Sequence, residues 1–243
     1  MNGYSRLITI LLCATNNPAD TCLKGFQEGV ARYGIPERVR GDNGGENNGV
    51  EMFMMEKRGG ESYLRGPSVH NQRIERLHYD TTHAVLSLFI NIFKFMESHE
   101  LLSPNNVIHL FALHFVFKTK IQTSLDEFRE GWNCHRLSSE KNLTPYQIFM
   151  LGALDSSKQN QIGIESLAER DWSSFGVEFL DIPPCNGEDE DTVILNDITL
   201  GGQEHNIQTI LGYEFDPSDD DGNFGINMYM AVKTRIEEIH PNL

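Results

Sequence analysis

Apolar and polar positions in the first part of the chain predict strands and helices in alternation. A β-branched, leucine-rich run over residues 6–15, with turn residues on both sides, predicts a buried strand. A helix is predicted next, because Pro18 stands near a first turn, apolar residues follow at helical spacing, and Gly34 ends the pattern. A short strand over residues 38–42 then leads into the turn Asn43-Gly44-Gly45.

Farther along, the pattern becomes mostly helical. Helices are predicted over residues 50–58, 71–99, 105–132, 146–151 and 223–239, with a short strand over 61–65. The apolar face of the second of these helices is predicted to consist of Ile74, Leu77, Thr81, Val85, Leu88, Phe89, Ile92 and Phe95. Gly152 to Asn160 is the best linker candidate, and only weak periodicity follows it. Together these elements predict an α/β fold.

Charge is distributed unevenly along the 243 residues, which carry a net charge of −15. Residues 1–150 contain 16 Lys and Arg against 16 Asp and Glu, whereas residues 151–243 contain 4 against 19. The acidic second part would be repelled by phosphate, so it is a poor candidate for DNA binding. The neutral first part can still approach nucleic acid through local basic clusters.

Cysteine spacing and hydropathy exclude two further classes. The four cysteines form no Cys-x-x-Cys pair, which argues against a cysteine zinc site and for reduced thiols in the cytosol or nucleus. The longest apolar stretch near the start, residues 7–14, is far shorter than the roughly 20 residues of a membrane span. No membrane partner is expected, and a nuclear or a cytoplasmic location both stay open.

Two acidic residues carry the candidate chemistry. Asp42 stands at the end of a predicted strand, and Glu75 follows 33 positions later on a predicted helix. Carboxylates on neighbouring elements of a sheet-and-helix domain suit a hard divalent cation. Each also has an ordinary interpretation, since Asp42 can be a turn residue and Glu75 a solvated helix residue. Glu46 is a rival to Glu75, but we expect it to cap the turn or to face solvent.

Short motifs around these residues occur in a specific order. They are Gly3-Tyr4-Ser5-Arg6-Leu7, then Arg40-Gly41-Asp42-Asn43-Gly44-Gly45-Glu46-Asn47, then Asn71-Gln72-Arg73-Ile74-Glu75-Arg76, and finally Trp132-Asn133-Cys134-His135-Arg136 with Thr144-Pro145-Tyr146-Gln147-Ile148-Phe149. In this order they resemble the integrase core domain of retroviral-type integrases and DDE transposases. The residues of these motifs are most similar to those of transposon-derived integrase core proteins of animal genomes.

The resemblance implies a ribonuclease H-like fold and a role in DNA integration. Such enzymes are polynucleotidyl transferases that cleave and join phosphodiesters with Mg²⁺ held by three carboxylates. Asp42 and Glu75 would be two of the three, acting as catalytic and metal-binding residues. Asn71, Arg73 and Arg76 would approach nucleic acid.

One departure from the family pattern bears on activity. In the family a first Asp ends the first strand, and a second strand precedes the turn that resembles Gly-Tyr-Ser-Arg. Here that turn lies at residues 3–6, so the first two strands and the first Asp are expected to be missing. The chain is therefore predicted to be truncated at its N-terminus and inactive on DNA.

The predicted organisation is a partial integrase catalytic core over residues 1–100, a helical continuation over 101–152 and an acidic C-terminal extension over 153–243. DNA is the expected partner, and a homo-oligomer is left open. The alternative is a non-catalytic module that keeps the fold and binds nucleic acid or protein. The neutral first part and acidic second part favour protein contacts over strong DNA binding.

A second acidic turn, Asp219-Asp220-Asp221-Gly222, raises the question of a calcium loop. An EF-hand loop with Gly222 in its sixth place would put Pro217 and Met228 at the first and last ligand positions. Neither residue can coordinate through its side chain as those positions require, so a solvated acidic turn is predicted instead.

Overall fold

The computed structural model describes residues 1–16, 19–42, 44–66, 72–159, 198, 200, 202 and 204–239. In chain order the elements are α1 (Ala19–Tyr33), β1 (Val39–Gly41), α2 (Asn48–Arg58), β2 (Tyr63–Arg65), α3 (Gln72–Thr81), α4 (Ser87–Ser98), α5 (Val107–Cys134), α6 (Pro145–Gln159), α7 (Glu204–Glu214) and α8 (Ile226–Ile239). No helix in these ranges has both the length and the apolar character to cross a membrane.

Strands β1 and β2 form a parallel pair, and they confirm the two short strands predicted from the sequence. Val39 lies opposite Tyr63, and Gly41 lies opposite Arg65. Parallel strands end at the same edge of a sheet, and that edge is where α/β proteins place their ligands. The residue that follows β1, Asp42, therefore stands at the edge where a site is expected.

The strand predicted over residues 6–15 is wrong, because this segment joins no sheet among the described residues. Side chains of α5 bond its backbone instead. Asn133 accepts from the Ile8 N–H at 2.8 Å and donates to the Ile8 carbonyl at 3.0 Å. Trp132 donates its indole N–H to the Arg6 carbonyl at 3.0 Å. A carboxamide offers one acceptor and two donors, so it can satisfy the buried backbone as a neighbouring strand would.

Local signals set three of the helix ends. Gly34, with φ of 86°, follows α1, and Gly59, with φ of 94°, follows α2. These values lie in the left-handed region, which glycine adopts without steric cost. At the start of α6, Thr144 and Gln147 exchange side-chain and backbone hydrogen bonds at 3.1 and 3.0 Å, which is a capping box. Residues 152–159, which were named as a linker candidate, are helical and continue α6, and the domain boundary at this place stays a prediction.

A π-helical turn over Thr82–Leu86 joins α3 to α4 and changes which residues are buried. The predicted face is buried at Val85, Phe89 and Ile92, but Leu88 and Phe95 are exposed, and Met96 is buried in their place. A π turn inserts an extra residue per turn, so the apolar face of the following helix is rotated. The predicted period of 3.6 residues does not allow for this insertion.

The described residues group into two compact units. The first unit takes the described parts of residues 1–11, 18–80 and 127–194, and the second takes those of 12–17, 81–126 and 195–243. Buried residues of the first unit include Leu7, Ile8, Val50, Met54, Leu77 and Ile148. Those of the second include Phe89, Met96, Val116, Phe117, Leu211, Tyr229, Val232 and Ile236. The domain boundaries given above stay predictions.

Candidate active site

The candidate site begins at Asp42, the half-buried residue directly after β1. Its Oδ1 accepts a hydrogen bond from the Gly44 N–H at 3.2 Å and another from Asn47 Nδ2 at 2.6 Å. A 3₁₀ turn over Gly45–Asn47 brings Asn47 back toward the strand end. Local hydrogen bonds thus hold the carboxylate at the carboxyl end of β1.

Gly41 allows a buried tyrosine to reach this strand end. Tyr63 is 8% exposed and starts from β2 opposite Val39, but its hydroxyl extends along the sheet to Gly41. A Cβ at Gly41 would lie 1.9 Å from Tyr63 Oη and 3.6 Å from Asn47 Cγ. The open face of Gly41 is therefore occupied by the tyrosine hydroxyl and by the amide that bonds Asp42.

Glu46, which was expected to cap the turn or to face solvent, lies half-buried against the same turn. A Cβ at Gly44 would lie 2.3 Å from Glu46 Oε1 and 2.5 Å from Oε2. The Oε2 atom is buried and has no hydrogen-bond partner. A buried carboxylate oxygen without a partner costs free energy, so this atom is suited to receive a cation or a donor.

The electrostatic surroundings of the turn are acidic. Burial raises the pKa of Tyr63 to about 12; Arg65 opposes the shift, and the charges of Asp42, Glu51 and Glu46 add to it. The phenol is therefore protonated at neutral pH. Arg65 is engaged by Glu51, to which its Nε donates at 3.0 Å, and this hydrogen bond lowers the pKa of Glu51.

The residues predicted on α3 lie in different surroundings. Glu75 is exposed in the first turn of the helix. Arg73 donates to the carbonyl of Gly3. Arg76 donates to both carboxylate oxygens of Asp80 at 3.1 Å. Its guanidinium also lies over a tyrosine ring, 5.5 Å from the centroid. Both arginines thus have protein partners, and the fifth predicted residue, Asn71, lies outside the described residues.

The donor chemistry of the Asp42 turn fits a hard divalent cation. Carboxylate and amide oxygens of Asp42, Glu46 and Asn47 are the ligand types that Mg²⁺ prefers, and the buried Glu46 oxygen lacks a protein partner. Within the part of the chain that is described, no three His, Cys, Asp or Glu side chains group closely enough to hold a metal ion. The turn therefore has suitable ligands but not a three-carboxylate set.

Comparison with known proteins identifies the family. A family model described as Integrase core domain matches residues 1–163, which is more than half of the chain. The chain belongs to the integrase core domain family. This membership implies a ribonuclease H-like α/β fold, a role in DNA integration and general use of a divalent metal. Neither a curated protein nor a solved structure matched the chain.

Within the integrase core domain, the structure assigns architectural contacts to two of the recognised motifs. The tryptophan and asparagine of Trp132–Arg136 bond the backbone at Arg6 and Ile8. The Thr144–Phe149 motif begins α6 with a capping box. Tyr63 was missed by the sequence reasoning; the nearby Gly41 is a weak signal for it, since a glycine inside a strand often marks a close approach.

Proposed function

We propose that this member of the integrase core domain family is a transposon-derived protein of DNA integration, in which Asp42 and Glu75 are two of the residues that hold Mg²⁺. The position of Asp42, at the carboxyl end of β1 and inside the family match, carries the proposal. When bound there, Mg²⁺ would stabilise developing charge on a phosphodiester. Asp42 would orient the ion, and Asn47 would orient Asp42.

We further propose that the 243-residue polypeptide does not complete the reaction by itself. Two features support this proposal. Arg76, expected near phosphate, is bonded to Asp80. The excess of acidic over basic residues in 151–243 also disfavours close approach of DNA.

Two measurements on the purified 243-residue chain test the proposal. The first is incubation with Mg²⁺ and labelled duplex DNA, for which we expect neither nicking nor strand transfer. Cleavage that depends on Mg²⁺ and disappears in Asp42→Asn would contradict the predicted inactivity. The second is a titration with Mn²⁺ followed in ¹H–¹⁵N NMR spectra. A paramagnetic ion broadens the amide signals of nearby residues even when it binds weakly.

The expected Mn²⁺ result is selective broadening of the Gly44 and Asn47 amide signals. Asp42→Asn should abolish this broadening, Glu75→Gln should reduce it, and Glu61→Gln, an exposed carboxylate outside the turn, should leave it unchanged. Uniform weak broadening in all four proteins would contradict a metal site at Asp42.

The alternative is a non-catalytic integrase-fold module that binds nucleic acid or protein. The pairing of Arg76 with Asp80 favours the protein-binding form of this alternative, because a guanidinium held by a carboxylate is less available to phosphate. A mobility-shift titration at rising salt separates the cases. Binding through phosphates must weaken steeply with salt, whereas a protein-binding module should show no salt-sensitive DNA shift at all.

A further inference from the structure

We propose that Tyr63 is a positioning residue for Asp42: its buried side chain, seated on Gly41, fixes the strand end that presents the Asp42 carboxylate to a divalent cation. The inference rests on the proposed function, because it concerns the same cation. It adds a residue that belongs to none of the recognised motifs.

Geometry carries the first step of this inference. Tyr63 is paired in register with Val39, yet its hydroxyl reaches Gly41, two residues farther along β1. A Cβ at Gly41 would lie 1.9 Å from Oη and 2.9 Å from Cζ, which no real Cβ tolerates. Only glycine at position 41 allows the hydroxyl end of the ring to lie this close to the last residue before Asp42.

The second step connects this contact to the carboxylate. The carboxamide of Asn47 lies over the same glycine, with Cγ 3.6 Å from the position a Cβ would take. The same carboxamide donates to Asp42 Oδ1 at 2.6 Å. Tyr63 and Asn47 thus pack on one face of Gly41, so displacement of the tyrosine would also disturb the amide that orients Asp42.

A fixed carboxylate matters because Mg²⁺ demands near-ideal ligand geometry. A side chain that is held by packing and by hydrogen bonds loses less entropy when it binds an ion. Removal of the Tyr63 contact should therefore weaken ion binding while α2 and the β1–β2 pair remain folded.

A double-mutant cycle on the full 243-residue chain tests the inference, with Mn²⁺ as the probe and broadening of the Gly44 and Asn47 amides as the readout. Gly41→Ala should weaken Mn²⁺ binding about tenfold, a size ordinary for residues in contact. In Gly41→Ala combined with Tyr63→Phe, the oxygen at 1.9 Å is gone, and only the Cζ contact at 2.9 Å remains. Cζ is then the far end of the side chain, so a small ring movement relieves this contact, and binding should return to within about threefold of the unaltered chain. Relief of this clash would also restore a disturbed fold, so the cycle is evaluated only if thermal melting shows that Gly41→Ala is folded.

Two single variants cover the case in which Gly41→Ala fails to fold. Tyr63→Phe keeps the ring and should bind Mn²⁺ within about threefold of the unaltered chain, whereas Tyr63→Leu should lose about tenfold. Tyr146→Leu, at a tyrosine of α6 that is 48% exposed, is the matched control and should change nothing. Circular dichroism and thermal melting establish that each variant is folded.

The outcomes separate this inference from the proposed function. Broadening that is lost in Asp42→Asn but unchanged in both Gly41→Ala and Tyr63→Leu would overturn the role of Tyr63 alone. Equal losses in Gly41→Ala and in its combination with Tyr63→Phe would overturn it as well. No broadening that depends on Asp42 in the unaltered chain would overturn both the proposed function and the positioning role.

Discussion

The carboxylates of Asp42, in the first unit, and Asp221, in the second, both accept hydrogen bonds from backbone N–H groups that follow them in the chain. They differ in how many such bonds they accept and in how many of their oxygens take part. Each stands before glycine and asparagine residues, and each carboxylate accepts backbone N–H groups that follow it. Asp221 accepts three, from Asn223 and Gly225 through Oδ1 and from Met228 through Oδ2, all between 2.8 and 2.9 Å. Asp42 accepts one N–H, from Gly44, and one side-chain amide.

The difference distinguishes a cap from a candidate site. Asp221 uses both oxygens on the backbone at the start of α8, so its carboxylate is committed to the fold. This position corrects part of the prediction of a solvated acidic turn: Asp219 and Asp220 are exposed, whereas Asp221 is half-buried. At Asp42 the contacts are fewer, and a neighbouring carboxylate oxygen of Glu46 is buried without a partner.

The largest expected effect comes from removal of the Asp221 carboxylate, compared with removal of the Asp42 carboxylate. Asp221→Ala should lower the free energy of unfolding by about 2–3 kcal/mol, because three backbone donors lose a charged acceptor. Asp42→Ala should cost only about 1 kcal/mol, since it accepts fewer bonds. Urea denaturation followed by circular dichroism measures both values, with the exposed Asp220→Ala as control. Equal losses at Asp42 and Asp221 would remove the distinction between cap and site.

The glycines of the two loops offer the next test. Gly225 has φ of 89°, and a Cβ there would lie 3.1 Å from Lys120 Cε and 3.2 Å from Phe117 Cε1. Gly225→Ala should therefore cost about 2 kcal/mol, from backbone strain and crowding together. Gly44 has φ of −62°, so Gly44→Ala should only displace the flexible Glu46 side chain and cost under about 1 kcal/mol.

Gly222→Ala is the control for this second prediction. Gly222 has φ of 69°, but no atom lies within 4 Å of the position of its Cβ. It therefore reports backbone strain without crowding. If Gly44→Ala proved as costly as Gly225→Ala, the Glu46 carboxylate would be held far more rigidly than its single unpartnered oxygen indicates.

Neutralising Glu46 should have a smaller effect of opposite sign. Glu46→Gln removes the charge from a carboxylate with a buried, unpartnered oxygen, so it should stabilise the metal-free chain by about 1 kcal/mol. Glu61→Gln, at an exposed carboxylate, should leave stability unchanged. Thermal melts without added metal measure the difference. A destabilised Glu46→Gln variant would mean that the buried oxygen is satisfied after all.

The smallest expected effect is the pH dependence that Asp221 contributes. Burial alone would raise its pKa, but the three backbone donors and Lys120 outweigh burial and lower the pKa below 3.8. The unfolded state thus takes up the proton first, and the stability from this group is present above pH 3.8 and lost as pH falls through the folded pKa. Urea midpoints of the unaltered chain should fall over this window, and those of Asp221→Asn should fall less.

Sequence reasoning was most accurate where the physical cause is local. Gly34 and Gly59 end their helices because only a few neighbouring residues decide a left-handed turn. The two short strands, and the position of Asp42 at the end of one of them, were also predicted. The order of the recognised motifs predicted the integrase family, which the match over residues 1–163 confirms.

Sequence reasoning failed where the partner lies far away along the chain. Residues 6–15 have the composition of a strand, but a strand needs a neighbour, and the groups that bond Ile8 belong to Asn133, 125 positions later. The π turn at Thr82–Leu86 likewise rotates the following helix, so that Met96 is buried instead of Phe95. The spacing of apolar residues in the sequence does not indicate this turn.

The amino-acid sequence by itself therefore determined most of the helices, although not α7, and it determined the glycine ends of two helices, the acidic second part and the family. Tertiary structure alone decided which extended segment pairs, that Tyr63 covers Gly41, and that Asp221 caps a helix while Asp42 remains suited to an ion. The physical reason is that helices and turns close hydrogen bonds within a few residues. Strand pairing, burial and the partners of a carboxylate depend on groups that only folding brings together.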